Sequence, residues 1–545
     1  METTFSFLDY AVFILYGIVI IGVGLWVSRD KKGYKKNAND YFLASKSLPW
    51  WAVGASLIAS NISAEQFIGM SGSGFAIGMA IASYEWMAAT TLIIVGKYFL
   101  PIFLEKKIFT MPQFLEIRYD GRVRTGLALF WLVVYVFVNL TSVMYLGALA
   151  METIIGIPII YGMLGLAIFA AVYSIYGGLK AVAWTDVIQV IFLIGGGLVT
   201  TYFALNAVSG GEGAYAGFCQ LLDQLGPNGT LGNKFNMILE KGELFINDGN
   251  GGVKDAYLDL PGIGVLVGGL WVANLSYWGF NQYIIQRGLA AKSTREAQKG
   301  MIFAGYLKIL IPLIVVVPGI VAYLLTTKAG VTLEPADRAY PWLLQNFVPS
   351  GIKGLAFAAL VAAIVSSLAS MLNSTATIFT KDIYIRYIDT KASENKQVKV
   401  GRITAAVALI IAVLAARPLL AGLDQAFQFI QEFTGMITPG ILVIFLIGMF
   451  WKRATANAAV WVAILTIPLG FLFKFMFPGI PFLDRMGYVF LFLTLILVVI
   501  SLIESKTNDP KCFEFKKSLF HTKTAFNIGA IGICFILIFL YYIWW

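Results

Sequence analysis

Long apolar segments separated by short polar loops run through the whole chain. Crossing the hydrocarbon core of a bilayer takes about 20 apolar residues in a helix. Fourteen segments approach this length, at residues 5–27, 50–75, 79–103, 123–149, 158–177, 181–207, 261–285, 299–325, 352–379, 401–420, 426–450, 455–477, 484–503 and 524–545. The pattern therefore predicts an all-α polytopic membrane protein with about 14 transmembrane helices, numbered here as spans 1 to 14.

Two of these spans contain a polar interruption near their centre. Span 2 carries the sequence SNISAEQ at residues 60–66, and span 7 carries NLSYWG at residues 274–279. Amide and carboxyl groups are costly in hydrocarbon, and irregular backbone is tolerated there only where it lines a cavity. The two interruptions therefore predict two broken helices, which in secondary transporters build the binding sites.

The interrupted spans lie five spans apart, so they cross the membrane in opposite directions. This spacing predicts a five-plus-five inverted-repeat core. We expect five regions along the chain: an N-terminal extra span with its inside loop at 1–47, the first repeat (spans 2 to 6) at 48–207, an outside loop at 208–260, the second repeat (spans 7 to 11) at 261–477, and two C-terminal extra spans at 478–545.

Composition and charge narrow the class further. Hydrophobic residues make up 59% of the chain and charged residues 13%, against about 25% charged in soluble proteins. The net charge is +10, but the basic residues, Arg287 among them, fall in predicted loops, so no nucleic-acid partner is expected. Positive loops stay in the cytoplasm. We therefore expect a multi-pass plasma-membrane protein in the lipid bilayer, in a bacterium the inner membrane, with both termini outside.

The reactive residue types are sparse. The chain has one histidine, His521 in a late loop, and three cysteines far apart. These offer neither a nucleophile–base pair nor a metal site, so we expect no enzyme and no cofactor. A channel would need an open polar stripe along its spans. A sensor without transport stays an open alternative. The sequence leaves the oligomeric state undetermined.

Two opposite charges lie inside predicted spans. Glu85 is in span 3 and Lys308 is in span 8. An isolated buried charge is costly, so we expect the two side chains to pair. A paired site is electrically balanced and favours a neutral ligand, and a polyol suits it because each hydroxyl both donates and accepts hydrogen bonds. The alternative is a purely structural pair between two helices.

Polar side chains of the interrupted spans complete this candidate site. Its amides are Asn61, Gln66, Asn274 and Gln431. Tyr277 offers an aromatic face to the C–H groups of a ring. Two further carboxylates, Glu65 and Glu432, serve either the site or the packing of helices.

A cation site is indicated separately. Ser366 and Ser367 lie in span 9, and the break in span 2 frees the carbonyl groups of Ala59 and Ile62. Sodium is a hard ion that prefers oxygen ligands, so these groups form a candidate sodium site; serines in a helix of small residues are otherwise typical of packing. Asp186 in span 6 either relays the ion or is an ordinary charge at the end of a span.

Several motifs lie at these positions: NISAEQ at 61–66, WVAN at 271–274, WGFNQY at 278–283, SSLASMLNS at 366–374 and AFQ at 426–428. With them, nearly the whole chain resembles the solute:sodium symporter family, most closely its bacterial sodium/glucose (galactose) cotransporters. The resemblance implies a sodium-coupled secondary active symporter that imports a neutral hexose, galactose or glucose, by alternating access. Sodium is then the coupling ion, and the partners are the sugar and the bilayer.

The resemblance also implies residue roles. The sugar contacts are Asn61, Gln66, Glu85, Asn274, Lys308 and Gln431, with Tyr277 stacked on the pyranose and closing it from the inside. The outer gate is Met70, Tyr84 and Phe427. Sodium is held by the backbone of Ala59, Ile62 and Ala363 and by the hydroxyls of Ser366 and Ser367. Asp186 lines the inward path of the ion.

Two positions depart from the pattern of the family. Ala88 replaces a serine that touches the sugar, which puts the hexose preference in doubt. Ala369 replaces a hydroxyl residue typical of members with two sodium sites, so we expect one sodium per sugar. Within the same fold the substrate alternatives are myo-inositol, a sialic acid, an amino acid or a vitamin, although the balance of Lys308 by Glu85 disfavours an anion.

Overall fold

The computed structural model describes residues 5–27, 44–247, 252–420 and 425–545, and it is mostly helical, at 79%. The helices of the first part are α1 (Phe7–Val27), α2 (Trp50–Asn61), α3 (Ser71–Ala76), α4 (Ser83–Ile94), α5 (Leu100–Glu105), α6 (Met111–Arg118), α7 (Gly121–Val134), α8 (Thr141–Ile155) and α9 (Ile159–Val208). Short π-helical segments join some of them, at Glu65–Met70, Val95–Phe99 and Tyr135–Leu140.

The predicted loop 208–260 contains structure of its own. It holds α10 (Ala214–Leu225) and a hairpin of β1 (Phe245–Asn247) and β2 (Val253–Asp255). The strands are antiparallel, with Phe245 opposite Asp255.

The second part of the chain is again helical. Its helices are α11 (Ile263–Val267), α12 (Gly269–Phe280), α13 (Gln282–Leu289), α14 (Thr294–Ala329), α15 (Ala339–Phe347), α16 (Ile352–Ile378), α17 (Glu394–Leu420), α18 (Ala426–Gly435), α19 (Thr438–Phe450), α20 (Ala456–Met476), α21 (Phe482–Glu504) and α22 (Thr524–Ile543). A π-helical segment, Phe379–Ile388, continues α16.

Within the described residues, 10 helices are long and apolar enough to cross a membrane, or 12 if each of two bent pairs is one span. The prediction of a polytopic all-α protein is confirmed, and the count of fourteen stays a prediction. Two predicted spans are missing from the twelve. The span at 50–75 is divided into short helices by its polar centre, and the span at 158–177 is the first part of α9, which stays helical for 50 residues.

The predicted break in span 2 is confirmed. Helix α2 ends at Asn61, because Ile62 adopts an extended conformation with φ −75° and ψ 103°. The chain continues as the π-helical segment and then as α3. Carbonyl groups in the last turn of α2 are thereby left without the helical N–H partners that a continuous helix would supply.

The predicted break of span 7 at 274–279 is wrong in position. Helix α12 is continuous from Gly269 to Phe280, and the extended residue is Asn281, with φ −77° and ψ 125°. A second bend, of 76°, lies before α12 at Gly268. Asn274 stays inside the helix because its Nδ2 donates to the carbonyl of Leu270, 3.2 Å away, which satisfies the amide locally. The pair α18 and α19 is also bent, by 48°.

Two long helices position the polar centre of the molecule. Helix α14 packs against α2, α3 and α4, and helix α16 packs against α9 and α1. Both fragments of span 2 therefore lie against one continuous helix. This arrangement brings Lys308 of α14 beside the break in span 2.

Helix α1 holds the first turn of α16. The buried carboxylate of Asp9 accepts hydrogen bonds from the backbone N–H groups of Gly351 at 2.7 Å and Gly354 at 2.9 Å. An anion at a helix N-terminus satisfies free donors and complements the helix dipole. A side chain at Gly354 would meet the backbone of Asp9 at 2.5 Å, so glycine permits this close approach.

A lysine from the predicted loop 208–260 caps the C-terminal end of α3. Lys234 is 7% exposed, and its Nζ donates to the carbonyl of Ala76 at 2.6 Å. Its own carbonyl accepts from the N–H of Met79 at 2.7 Å. Gly78 has φ +103°, and a Cβ there would lie 2.3 Å from the carbonyl oxygen of Lys234. Burial lowers the pKa of Lys234 to about 8.

Candidate functional site

A cavity of about 1100 Å³, including its opening, lies between α2, α4, α12, α14 and α18. It is lined by every residue predicted to contact the sugar or form the gate: Asn61, Gln66, Met70, Tyr84, Glu85, Asn274, Tyr277, Lys308, Phe427 and Gln431. These residues are up to 370 positions apart in sequence, so the fold brings distant polar and aromatic groups together at one cavity. Ala88 also lines the cavity.

The charged centre of the cavity is a three-residue network. Lys308 Nζ donates to Glu85 Oε2 and to Asn61 Oδ1, and it lies 5.0 Å from the centre of the Trp278 ring. The side chains of Lys308 and Glu85 are 1% and 4% exposed. The predicted pairing of these two charges is confirmed. The network joins α2, α4 and α14, and its net charge is zero.

Tyrosines extend this network along one wall. Asn61 Nδ2 donates to the hydroxyl of Tyr277 at 2.9 Å, and that hydroxyl lies 2.5 Å from the hydroxyl of Tyr283. Close by, Tyr135 donates to Asn281 Oδ1 at 2.5 Å. Tyr277, which precedes the break at Asn281, is thus hydrogen-bonded to Tyr283 after the break and to Asn61 of α2. Its position fits a side chain that closes the cavity on this side.

The predicted outer gate residues also meet. The rings of Tyr84 and Phe427 are edge to face, with centroids 5.3 Å apart. Phe427 packs on Gly69, where an added Cβ would lie only 2.9 Å from Phe427 Cβ. Met70 is fully buried beside them. Glycine at position 69 therefore lets α18 approach the broken span closely enough to seat the gate.

The predicted amide side chains differ in which of their atoms are free to bond a ligand in the cavity. Gln66 Oε1 already accepts from the N–H of Ser63 at 3.0 Å and from its hydroxyl at 3.2 Å. Gln66 therefore presents its NH₂ group rather than its oxygen to the cavity. Gln431, on α18, and Asn274, on α12, both line the cavity.

The predicted sodium ligands lie on α2, at the break that follows it, and on α16. Ser367 Oγ is 3.4 Å from the carbonyl oxygen of Ala59 and 3.2 Å from that of Ser60. Ile62 is the extended residue that ends α2, and Ala363 lies one turn before Ser367 on α16. All of these residues are buried. The structure thus brings the Ser367 hydroxyl close to the carbonyl oxygens of Ala59 and Ser60 where α2 meets α16. Oxygens of this kind are the ligands that a hard monovalent cation prefers.

Asp186 belongs to this site more directly than the sequence indicates. Ser366 Oγ donates to its Oδ1, and Ser56 Oγ donates to its Oδ2 at 2.5 Å. Arg287 Nη2 lies 4.0 Å from Asp186 Oδ2 and donates to Ser370 Oγ. Both charged side chains are fully buried. The assignment of Arg287 to a loop is wrong, because α13 folds its guanidinium into the protein beside Asp186.

Sequence reasoning missed several residues of the site. Ser56, Ser370, Tyr135 and Tyr283 carry no pattern that separates them from packing residues. Glu65, left open above, lines the cavity and accepts from Ser142 Oγ at 2.5 Å. The other open carboxylate, Glu432, pairs instead with Arg485 at 2.6 Å and Lys474 at 3.2 Å.

Comparison with known proteins adds independent findings. The model of the sodium:solute symporter family matches residues 41–466. A sodium/glucose cotransporter of Vibrio parahaemolyticus is 56% identical over 559 residues, covering 100% of this chain and 99% of its own length. The sodium/myo-inositol cotransporter 2 of Oryctolagus cuniculus is 34% identical over 479 residues, covering 85% of this chain and 69% of its own length.

One solved structure resembles the fold over most of its length. It is a Na⁺-coupled sialic acid symporter in a substrate-bound outward-open state, with a TM-score of 0.76 and 24% identity. The match covers 91% of this chain and 98% of that one. At this identity the likeness concerns the fold.

Proposed function

The chain belongs to the sodium:solute symporter family, and we propose that it imports a neutral hexose, galactose or glucose, by alternating access. It is a sodium-coupled membrane transporter and not an enzyme, and sodium is its coupling ion. The observation that carries the sugar assignment is the neutral network of Lys308, Glu85 and Asn61 on the wall of the cavity. The 56% identity to a sodium/glucose cotransporter supports it.

Each polar group has a role matched to its chemistry. Lys308 donates to sugar hydroxyls while Glu85 accepts from them, and the pair stays neutral whether or not the sugar is bound. Asn61, Gln66, Asn274 and Gln431 supply amide contacts. Tyr277 stacks on the pyranose and closes the inner side, because its hydroxyl bonds across the break at Asn281.

Sodium binds between α2 and α16 in this proposal. Its ligands are the carbonyl oxygens of Ala59, Ile62 and Ala363 and the hydroxyls of Ser366 and Ser367, and Asp186 is on the path by which it leaves. The ion ties the first half of span 2 to α16 and so favours the state open to the outside. One sodium moves with one sugar.

The energetics of this stoichiometry are sufficient. One charge moving through 100 mV contributes about 2.3 kcal/mol, and a tenfold sodium gradient adds about 1.4 kcal/mol. Together they sustain a sugar gradient of roughly 500-fold. The coupling is a linkage free energy, so sugar must raise the affinity for sodium as much as sodium raises the affinity for sugar.

The same site fits a second neutral polyol, myo-inositol. Ala88, which lines the cavity, offers no hydroxyl to a hexose. Relatives 34% identical are sodium/myo-inositol cotransporters. Competition of labelled galactose uptake by myo-inositol and by free acids distinguishes these substrates: a hexose carrier is inhibited weakly by both.

The membrane arrangement is part of the proposal. It comprises 14 spans, two inverted repeats at 48–207 and 261–477 around a loop at 208–260, extra spans at 1–47 and 478–545, and both termini outside the inner membrane of a bacterium. Support comes from the positive loops and from the break in span 2. Labelling of single cysteines at Lys391 and Tyr215, one on each predicted side, tests the orientation with an impermeant maleimide.

The first experiment is uptake of labelled galactose and glucose into proteoliposomes with and without an inward sodium gradient. The parent is compared with Lys308→Ala and with Lys328→Ala, which removes an exposed lysine at the end of the same helix. Sodium-driven accumulation that is lost only in Lys308→Ala supports the proposal. Absence of sodium-stimulated uptake of both sugars in the parent rejects the hexose assignment.

A further inference from the structure

A buried polar seam runs along the part of α16 that follows the sodium site and into the π-helical segment Phe379–Ile388. Its members are Ser366, Ser370, Asn373, Thr377 and Thr380, none more than 3% exposed. Their spacing of four, three, four and three residues places them on one face of the helix. From Ser366 to Thr380 the seam runs about 21 Å along the helix axis at 1.5 Å per residue.

Among the described residues, two members of this seam have side-chain atoms without hydrogen-bond partners. Within the described part of the chain, Asn373 Oδ1 and Nδ2 and Thr380 Oγ1 have no hydrogen-bond partner. Buried polar atoms without partners are rare in folded proteins and call for a water or an ion. Other hydroxyls of the helix are satisfied by carbonyl groups one turn earlier: Thr377 donates to Asn373 at 2.6 Å, Ser370 to Ser366 at 2.8 Å, and Thr375, on another face, to Met371 at 2.8 Å. The unsatisfied polar atoms of the seam are therefore those of Asn373 and Thr380.

One end of the seam is the sodium site itself, because Ser366 is among the proposed ligands. The next member, Ser370, accepts a hydrogen bond from Arg287. The guanidinium is held there by Ser56 Oγ at 3.3 Å from its Nε and by the carbonyl of Tyr283 at 2.5 Å from its Nη1. A positive charge thus lies on the second position of the seam and opposes the passage of another cation.

We propose that the seam is a transit site through which sodium leaves toward the inside, with Asn373 as an intermediate ligand and Arg287 as the stopper. The proposal rests on the sodium site put forward above. Successive oxygens are about 4.5–6 Å apart along the axis, close enough for an ion to pass from one to the next without losing all its ligands. Arg287 is carried by α13, so movement of that helix removes the charge from Ser370 and opens the seam.

The test separates release of sodium from the other steps of transport. Asn373→Leu and Thr377→Val remove seam oxygens, and Thr375→Val makes the same chemical change two residues away on another face. Each variant is assayed in proteoliposomes for net sodium-driven uptake of labelled galactose. Each is also assayed for exchange of labelled galactose with saturating sodium on both sides, a cycle in which sodium need not leave.

We expect net uptake to fall about tenfold in Asn373→Leu and about threefold in Thr377→Val, in line with the loss of one polar contact to an ion. Exchange should stay at the parental rate in both, and Thr375→Val should match the parent in both assays. Exchange slowed as much as net uptake, or a Thr375→Val variant as slow as Thr377→Val, overturns the proposal.

Failure of the proposed function is recognised separately. If the parent shows no sodium-stimulated uptake of sugar, the hexose assignment fails, and efflux of sodium-22 from preloaded vesicles tests the seam alone. Slower efflux confined to Asn373→Leu and Thr377→Val supports the seam, and equal efflux in all variants overturns it.

Discussion

Two buried ion pairs contact helix α2, one through Asn61 and the other through Ser56, and they are built differently. On the cavity side, Lys308 contacts Glu85 directly and shares its ammonium with Asn61. On the sodium side, Asp186 and Arg287 are 4.0 Å apart and are joined through serine hydroxyls. Both pairs are neutral overall. One is a tight contact that faces a cavity, and the other is a loose contact enclosed by protein.

The difference indicates what each pair can exchange. A tight pair on a cavity wall keeps its own partners and offers its remaining donors and acceptors to a neutral ligand. A loose pair bridged by hydroxyls leaves oxygen lone pairs that a small cation can use without separating the charges completely. Removing one partner of a buried pair leaves the other charge buried without a counter-charge. A single substitution in one pair should therefore be compensated in a different way from a single substitution in the other pair.

The largest effect is expected at the tight pair. Lys308→Met leaves Glu85 buried without its cation, so sodium-driven sugar uptake should fall about 100-fold or more and the unfolding temperature should drop. The double variant Glu85→Gln/Lys308→Met should recover the unfolding temperature but not the uptake. Recovery of uptake in the double variant would contradict a role of these charges in binding sugar.

The loose pair should respond to sodium. Arg287→Gln strands Asp186, so the protein should lose stability at low sodium, and added sodium should restore it by supplying the missing charge. The rise in unfolding temperature between 1 and 300 mM sodium chloride should be about twice that of the parent. Choline chloride is the control. An equal rise in both proteins would show that sodium does not bind near Asp186.

A smaller effect is expected at the brace of α16. Asp9→Ala removes the acceptor for the N–H groups of Gly351 and Gly354, a loss of about 1–2 kcal/mol typical of a helix cap. Because α16 carries Ser366 and Ser367, the sodium concentration for half-maximal uptake should rise about threefold. The maximal rate at saturating sodium should change little.

Asp120→Ala is the matched control for this brace. Asp120 caps α7 through the N–H groups of Arg122 and Val123, a helix without proposed sodium ligands. A similar rise in the sodium requirement for both variants would assign the effect to general loss of stability.

The smallest effect concerns a buried cation that has no ion pair among the described residues, Lys234. Its pKa is about 8, below the 10.5 of a free lysine, because burial disfavours the charged form. Between these pH values the folded protein has released this proton while the unfolded chain still holds it, so stability rises with pH. The unfolding temperature of the parent relative to Lys234→Met should increase by about 1–3 °C across this window. A decrease would contradict the burial of an unpaired ammonium.

The sequence was most informative where polar groups interrupt apolar ones. The break in span 2 and the pair of Glu85 and Lys308 follow from the cost of polarity in hydrocarbon, which admits few arrangements. The break in span 7 was placed too early because Asn274 and Ser276 are polar, yet a helix accommodates both when they face a cavity. The helix is interrupted instead by the extended backbone of Asn281. The pattern of apolar and polar residues around Asn281 does not indicate that interruption.

Other features depend on which elements meet, which no local pattern records. Arg287 follows an ordinary loop-like pattern, and only the packing of α13 against α2 and α16 buries it. The hydroxyls of Ser56 and Ser370 matter because they meet Asp186 and Arg287, and these four residues lie on four different helices. The roles assigned to the sugar, gate and sodium residues remain predictions for the experiments above.

The bond between Asp9 and the start of α16 also constrains biosynthesis. Its donor and acceptor are 342 residues apart in the chain, so the first span enters the membrane long before its partner is made. At about 5–20 residues per second, the ribosome needs roughly 20–70 s to reach Gly351. During that interval the Asp9 carboxylate must remain at the membrane surface or find a temporary donor. The final assembly of the sodium-binding helix is thus a late event, completed by a segment that was synthesised long before it.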